Sequence, residues 1–92
     1  MHDDRFEWDD LKAQSNIRKH NISFTEATKV FSDPLVADDL DDTMHYDEDR
    51  FRAVGMVNGV LITVFYTVRG PRIRVISARP STRTEEQAYV DG

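Results

Sequence analysis

The sequence predicts an α+β fold, a small antiparallel sheet with N-terminal helices and a C-terminal helix, in the order β-α-α-β-β-β-β-α. Three observations carry that expectation. Helix-start signals crowd the first third of the chain, Asn58-Gly59 separates two strand-like stretches, and Pro80-Ser81-Thr82 caps a last helix. Such a run of elements builds a sheet with helices packed mainly on one face.

Phe6-Glu7-Trp8 is a short extended start. Asp9-Asp10 then open a helix reaching about Lys19, with acids at its positive end and Arg18, Lys19 and His20 at its negative end, as the macrodipole favours. Asn21 supplies an αL stop. Leu11 and Ile17 must provide most of this helix's apolar contact, so it buries little. Ser23-Phe24-Thr25-Glu26 is a capping box, in which hydroxyl and carboxylate satisfy free backbone N–H groups. It starts a second helix from Phe24 to about Phe31, with Phe24, Ala27, Val30 and Phe31 at helical spacing on the core face. Asp33-Pro34 ends it.

Leu35-Val36-Ala37 reads as a short strand. Phe51 to Val57, the turn Asn58-Gly59 and Val60 to Val68 form a β-hairpin, Asn-Gly being the preferred type I′ pair. Arg69-Gly70-Pro71 turns the chain into a strand from Arg72 to Ala78. Pro80-Ser81-Thr82 caps a last helix, roughly Arg83 to Tyr89.

Ninety-two residues suit one domain, spanning 1–92, near the lower end of what builds a core without staples. The chain has no cysteine, which excludes disulfides and thiolate metal sites. No apolar run approaches a membrane span, and the first residues lack the apolar core of a signal peptide. A soluble, cytoplasmic protein with no membrane partner is expected.

The net charge of −5 is unevenly spread. Asp38 to Asp49 hold seven acids, so this segment carries −7 and the rest of the chain +2. A solvated, mobile loop is the plain reading of that run; a competitor for a cationic surface, or a docking strip for a basic partner, is the sharper one. From Arg50 to Arg83 there are seven arginines and neither an acid nor a lysine. A planar guanidinium makes forked contacts to phosphate, whereas lysine acts as a point charge. The anion this pattern suits is a nucleic-acid backbone.

Lys12, Asn16, Lys19 and His20 fall at offsets of 4, 3 and 4, one stripe of the first helix. His20 has an intrinsic pKa suited to proton transfer near neutrality. In a regular strand Arg72, Arg74, Ile76 and Ala78 share one face and Ile73, Val75, Ser77 and Arg79 the other. Arg74 and Arg79 therefore meet in one site only across a bulge or if Arg79 lies past the strand end, and Pro80 favours the second option. Arg50 and Arg52 share a face of their own strand. The alternative for all these cations is ordinary solvated charge whose stems cover apolar surface. No metal site or cofactor is expected: His2, His20 and His45 are far apart, and Asp38-Asp-Leu-Asp-Asp lacks the glycine and spacing of a calcium loop.

Trp8-Asp9, Lys12, Asn16, Lys19-His20, Ile22, Phe24-Thr-Glu26-Ala27, Phe31 and Asp33-Pro34 together resemble the N-terminal signature of the BrnT toxin family. Arg50 with Gly55, Ile73-Arg74-Val-Ile76-Ser77-Ala78-Arg79, and Arg83, Glu85 and Tyr89 extend the likeness over nearly the whole chain. Two departures are mild: Asn21 stands where Gly is usual, which the αL requirement permits, and Ser81 where Ala is usual.

The resemblance implies a type II toxin with a RelE-like ribonuclease fold. Such a toxin cleaves RNA, arrests translation and is neutralised by a BrnA-like antitoxin, in a heterotetramer of two toxins and two antitoxins that contacts promoter DNA through the antitoxin. It implies catalytic roles for Lys12, Lys19, His20, Arg50, Arg74 and Arg79. Asn16, Arg52, Arg72 and Arg83 are the remaining candidate RNA contacts, with Tyr66 and Tyr89 as bases' stacking partners. Metal-independent cleavage needs a base for the 2′-hydroxyl, an acid for the leaving oxygen and cations at phosphorus. A non-catalytic nucleic-acid-binding module and a pure protein-interaction domain are the rival readings.

Overall fold

The computed structural model describes residues 1–41 and 49–92. A five-stranded, mostly antiparallel sheet carries the fold: β1 (Phe6–Glu7), β2 (Ala37–Asp41), β3 (Arg50–Val57), β4 (Val60–Arg69) and β5 (Arg72–Pro80). The spatial order is β1-β5-β4-β3-β2, and β1 pairs with β5 in parallel. The helices are α1 (Asp10–His20), α2 (Phe24–Ala27) and α3 (Arg83–Asp91), with a 3-10 turn over Thr28–Ser32. Element types and order follow the sequence reading, with local differences that have physical causes.

The caps form as expected. The Asp9 carboxylate accepts from the N–H groups of Leu11 and Lys12, and Asn21 closes α1 at φ 57°, ψ 34°. Ser23 and Glu26 close the first capping box. The helix that follows is shorter than its periodicity suggests, tightening into the 3-10 turn after Ala27. Val30 lies in that turn, and its backbone crosses β3 at Gly55. A Cβ on Gly55 would sit 2.8 Å from Val30 Cγ1 and 3.1 Å from Val30 O, so only glycine lets the turn lie this close to the sheet. Asn58 and Gly59 both take positive φ in the hairpin turn.

The expected Leu35–Ala37 strand is displaced: pairing starts at Ala37 and continues through Asp41, opposite Val54 to Arg50. The acidic segment thus begins as an edge strand rather than a loop, because its backbone finds the free side of β3. Positions 42–48 of that segment, His45 among them, lie outside the described residues.

Two faces of the sheet are covered, not one. Phe6, Phe24, Ala27, Val30, Ala53, Val64, Val75 and Ala78 form the core beneath α2 and the 3-10 turn. The third helix lies on the opposite face, where Glu85 meets Thr63. On the core side Tyr66 stacks on Phe51, with ring centroids 5.4 Å apart, and meets Phe31 edge-on at 5.0 Å.

The first helix is held differently from expectation. Leu11 is 75 % and Ile17 46 % exposed, and neither packs on the core. Trp8 and Ala13 pack on the core instead, and Asn16, only 5 % exposed, acts as a polar pin. Its Oδ1 accepts from Ala78 N at 3.0 Å and its Nδ2 donates to Ile22 O at 3.0 Å. The pin is needed because β1 covers β5 only as far as Arg74. Beyond that point an edge N–H would otherwise be buried without a partner.

Candidate nucleic-acid site

The site is built by a break in strand regularity. On β4, Thr63, Phe65, Thr67 and Arg69 alternate onto the face away from the core. Their partners on β5 are Arg79, Ser77, Arg74 and Arg72. Phe65 pairs with Ser77 and Tyr66 with Val75, leaving Ile76 as an extra residue. That bulge reverses the parity of the strand, and so Arg72, Arg74 and Arg79 share one face. The expectation that Arg79 clears the strand end is corrected here: Arg79 is paired within β5, and the bulge brings the arginines into line. Arg52 lies opposite Phe65 on the same face, with Arg50 two residues before it.

The arginines do not stand alone. The Arg79 Nη1 and Nη2 groups donate to Glu85 Oε1 and Oε2 at 2.7 and 2.9 Å, and Nη1 also reaches Pro80 O at 3.3 Å. Its guanidinium lies 5.2 Å from the centre of the Phe65 ring. Arg52 forks onto Asp39 at 3.1 and 2.7 Å and approaches Glu85 Oε2 at 3.8 Å. Arg74 pairs with Glu7 at 2.7 Å, and Arg72 Nε donates to Asp3 O. Arg50 faces Asp41 across the β2–β3 ladder. Six arginines (Arg50, Arg52, Arg69, Arg72, Arg74, Arg79) thus share this face with the carboxylates of Glu7, Asp39, Asp41 and Glu85.

Glu85 organises the centre. It is 5 % exposed and also accepts from Thr63 Oγ1 at 3.0 Å and Thr82 N at 2.8 Å. Burial pushes its carboxyl up, but the hydrogen bonds from Arg79, Thr82 and Thr63 outweigh that and hold it at about 2. A permanently ionised Glu85 fixes the Arg79 fork. Three hydrogen bonds occupy three Arg79 donors, leaving Nε–H and a second Nη2–H for an anion. Sequence reasoning gave Glu85 no role in this site. Its place three residues after Thr82 signals the capping box, but nothing local reveals the arginine it serves.

The α1 stripe flanks this face. Because Asn16 is pinned to Ala78, Lys12 lies one turn before it and Lys19 and His20 one turn after, alongside β5. Lys12 and Arg74 both act on Asp9: the Lys12 backbone N–H leads in holding that carboxyl below its ordinary value, with the Lys12 and Arg74 charges adding to it. Lys12, Lys19 and His20 are exposed, and no hydrogen bond or ion pair among the described residues ties their side chains to an arginine. Arg83 is likewise exposed, on the first turn of α3.

Three candidate RNA contacts take other positions. Asn16 is a buried pin, with both ends of its amide in use. Tyr66 is buried between Phe31 and Phe51 and donates to Asp38 at 2.7 Å, so its ring has no face left for a base. Tyr89 donates to Asp33 Oδ2 at 2.7 Å and lines a groove with Pro34, Leu35 and Val36 that no arginine borders.

Among the described residues no helix is long and apolar enough to cross a membrane. A family model described as ribonuclease toxin, BrnT, of type II toxin-antitoxin system matches residues 8–85. No curated protein matches the chain.

Proposed function

The chain belongs to the BrnT family of ribonuclease toxins of type II toxin-antitoxin systems, and from that premise we propose that its arginine face binds and cleaves RNA without a metal ion. The scissile phosphate lies against Arg79 and Arg52, and Arg50, Arg72, Arg74 and Arg83 bind neighbouring phosphates. His20 exchanges protons, with Lys12 and Lys19 beside it. In the step itself the 2′-oxygen bonds to phosphorus as the bond from phosphorus to the 5′-oxygen breaks. One group removes the 2′-hydroxyl proton and another protonates the departing oxygen. Guanidinium donors stabilise the charge that builds on the phosphoryl oxygens, each contributing roughly 2–4 kcal/mol if held as rigidly as an oxyanion hole.

The observation that carries this reading is the bulge at Ile76. It aligns arginines that a regular strand would split between core and surface. The Asn16 pin supports it further, since it runs the helix stripe beside the same strand. Cleavage arrests translation, and a BrnA-like antitoxin neutralises the toxin in a complex of two toxins and two antitoxins. That complex contacts promoter DNA through the antitoxin.

The test is incubation of the purified chain with naked RNA, with and without chelator and with the cognate antitoxin. Cleavage that survives chelation and stops on adding antitoxin is expected. An H20A/R79A double variant that cleaves at the wild-type rate would refute the residue assignment. Salt-sensitive binding without any product would instead mark a phosphate-holding module.

A further inference from the structure

We propose that the outer edge of β2, with the two hollows between it and α3, is the docking surface for a basic, extended segment of the cognate antitoxin. The proposal rests on membership of a type II toxin family, which implies that such a partner exists. It does not depend on how the arginine face acts.

One end strand of the sheet is β2, the other being the two-residue β1, and among the described residues nothing pairs with the outer side of β2. An edge of this kind accepts a further strand through main-chain hydrogen bonds, with side-chain pockets adding specificity. Two hollows supply such pockets. One, of about 150 Å³, lies between β2, β3 and α3, lined by Ala37, Val54 and Ala88 and by Asp39, Arg52 and Glu85 at the border of the arginine face. The other, of about 460 Å³, lies between the approach to β2 and the end of α3. Ala37 and Asp38 line both, so the two are one continuous surface along the strand. Leu35, 69 % exposed, and Val90, 74 % exposed, both line the larger hollow, two large aliphatic side chains left at the surface of one groove.

Charge selects the occupant. Of the six acids of β2 and α3, Asp39, Asp41 and Glu85 already face arginines, which leaves Asp38, Glu86 and Asp91 against Arg83 alone. Among the described residues the Asp38 carboxylate accepts from the neutral Tyr66 hydroxyl and meets no cation. A second copy of the chain would bring the same acids edge to edge, and RNA would bring phosphates against Asp38 in the larger hollow, which no arginine lines; both are disfavoured there. A segment with lysines or arginines alternating with apolar residues fits each feature. Seated there it would also lie beside the Arg52–Asp39 pair, so that docking and RNA binding would compete.

The experiment titrates the purified cognate antitoxin against the wild-type chain and against an L35K/V90K variant. Both changes lie at exposed positions outside the arginine face, so the variant keeps its fold and its RNA cleavage. Affinity for the antitoxin should fall about 100-fold, on the scale expected when two apolar anchors are lost and two like charges added. Amide exchange along Ala37–Asp41 should slow when the antitoxin binds the wild-type chain. Unchanged affinity in the variant, or protection confined to other strands, would overturn the proposal. So would concentration-dependent dimers of the free chain that L35K/V90K dissolves, or RNA crosslinks at Leu35 or Val90. Because binding is read directly, loss of the proposal and loss of the ribonuclease reading give different results.

Discussion

Replacing Glu85 with glutamine removes one charge from the centre of the arginine face while keeping the shape of the side chain. Glutamine also serves at the third position of a capping box, so α3 keeps its start. The carboxyl's ordinary value is 4.5, and here it stands at about 2. At about 1.4 kcal/mol per pKa unit this is worth roughly 3 kcal/mol, which water around the part-exposed Arg79 and Arg52 reduces to about 2 kcal/mol. The folded value lies below the unfolded one. The contribution is therefore complete above pH 4.5 and disappears as pH falls towards 2. Urea unfolding followed by the fluorescence of Trp8, which packs edge-on to Phe24 at 5.8 Å, measures this directly. E85Q should be less stable than wild type by about 2 kcal/mol at pH 7, and the gap should close between pH 4.5 and 2. A gap that stays constant with pH would show that Glu85 acts through packing rather than charge.

Asn16→Ala strands Ala78 N–H and Ile22 C=O and should cost about 2–4 kcal/mol by the same unfolding measurement; no loss would mean that α1 is held some other way. Gly55→Ala drives a methyl into Val30 and should cost about 1–3 kcal/mol, an effect that thermal melting resolves. Tyr66→Phe removes the hydroxyl given to Asp38 and should cost about 0.5–1.5 kcal/mol with the RNA cleavage rate unchanged. A Tyr66→Phe chain that folds as well as wild type but cleaves more slowly would return Tyr66 to the substrate.

Asp9, Asn21, the Ser23-to-Glu26 box and Asn58-Gly59 do in the structure what their residue types dictate. Each works through hydrogen bonds or dihedral preferences within about four residues, so the chain's local order is legible without its fold. The pattern that marks the BrnT family is legible for the same reason, since it consists of residue identities at fixed spacings. The arginine-rich stretch itself is a matter of composition.

Only tertiary structure decided what that stretch becomes. Whether Arg79 joins Arg74 depends on where β5 loses register with β4, and a strand's own alternation cannot report a slip against its neighbour. The carboxylates that orient the arginines come from β1, β2 and α3, as many as 67 residues away in the chain. Asn16 looks like part of a surface stripe until the bare edge of β5 takes its side chain. The physical reason is common to all three. Local preferences choose helices, strands and turns, whereas the face a side chain occupies and the charge it meets are set by contacts that exist only once distant segments are packed together.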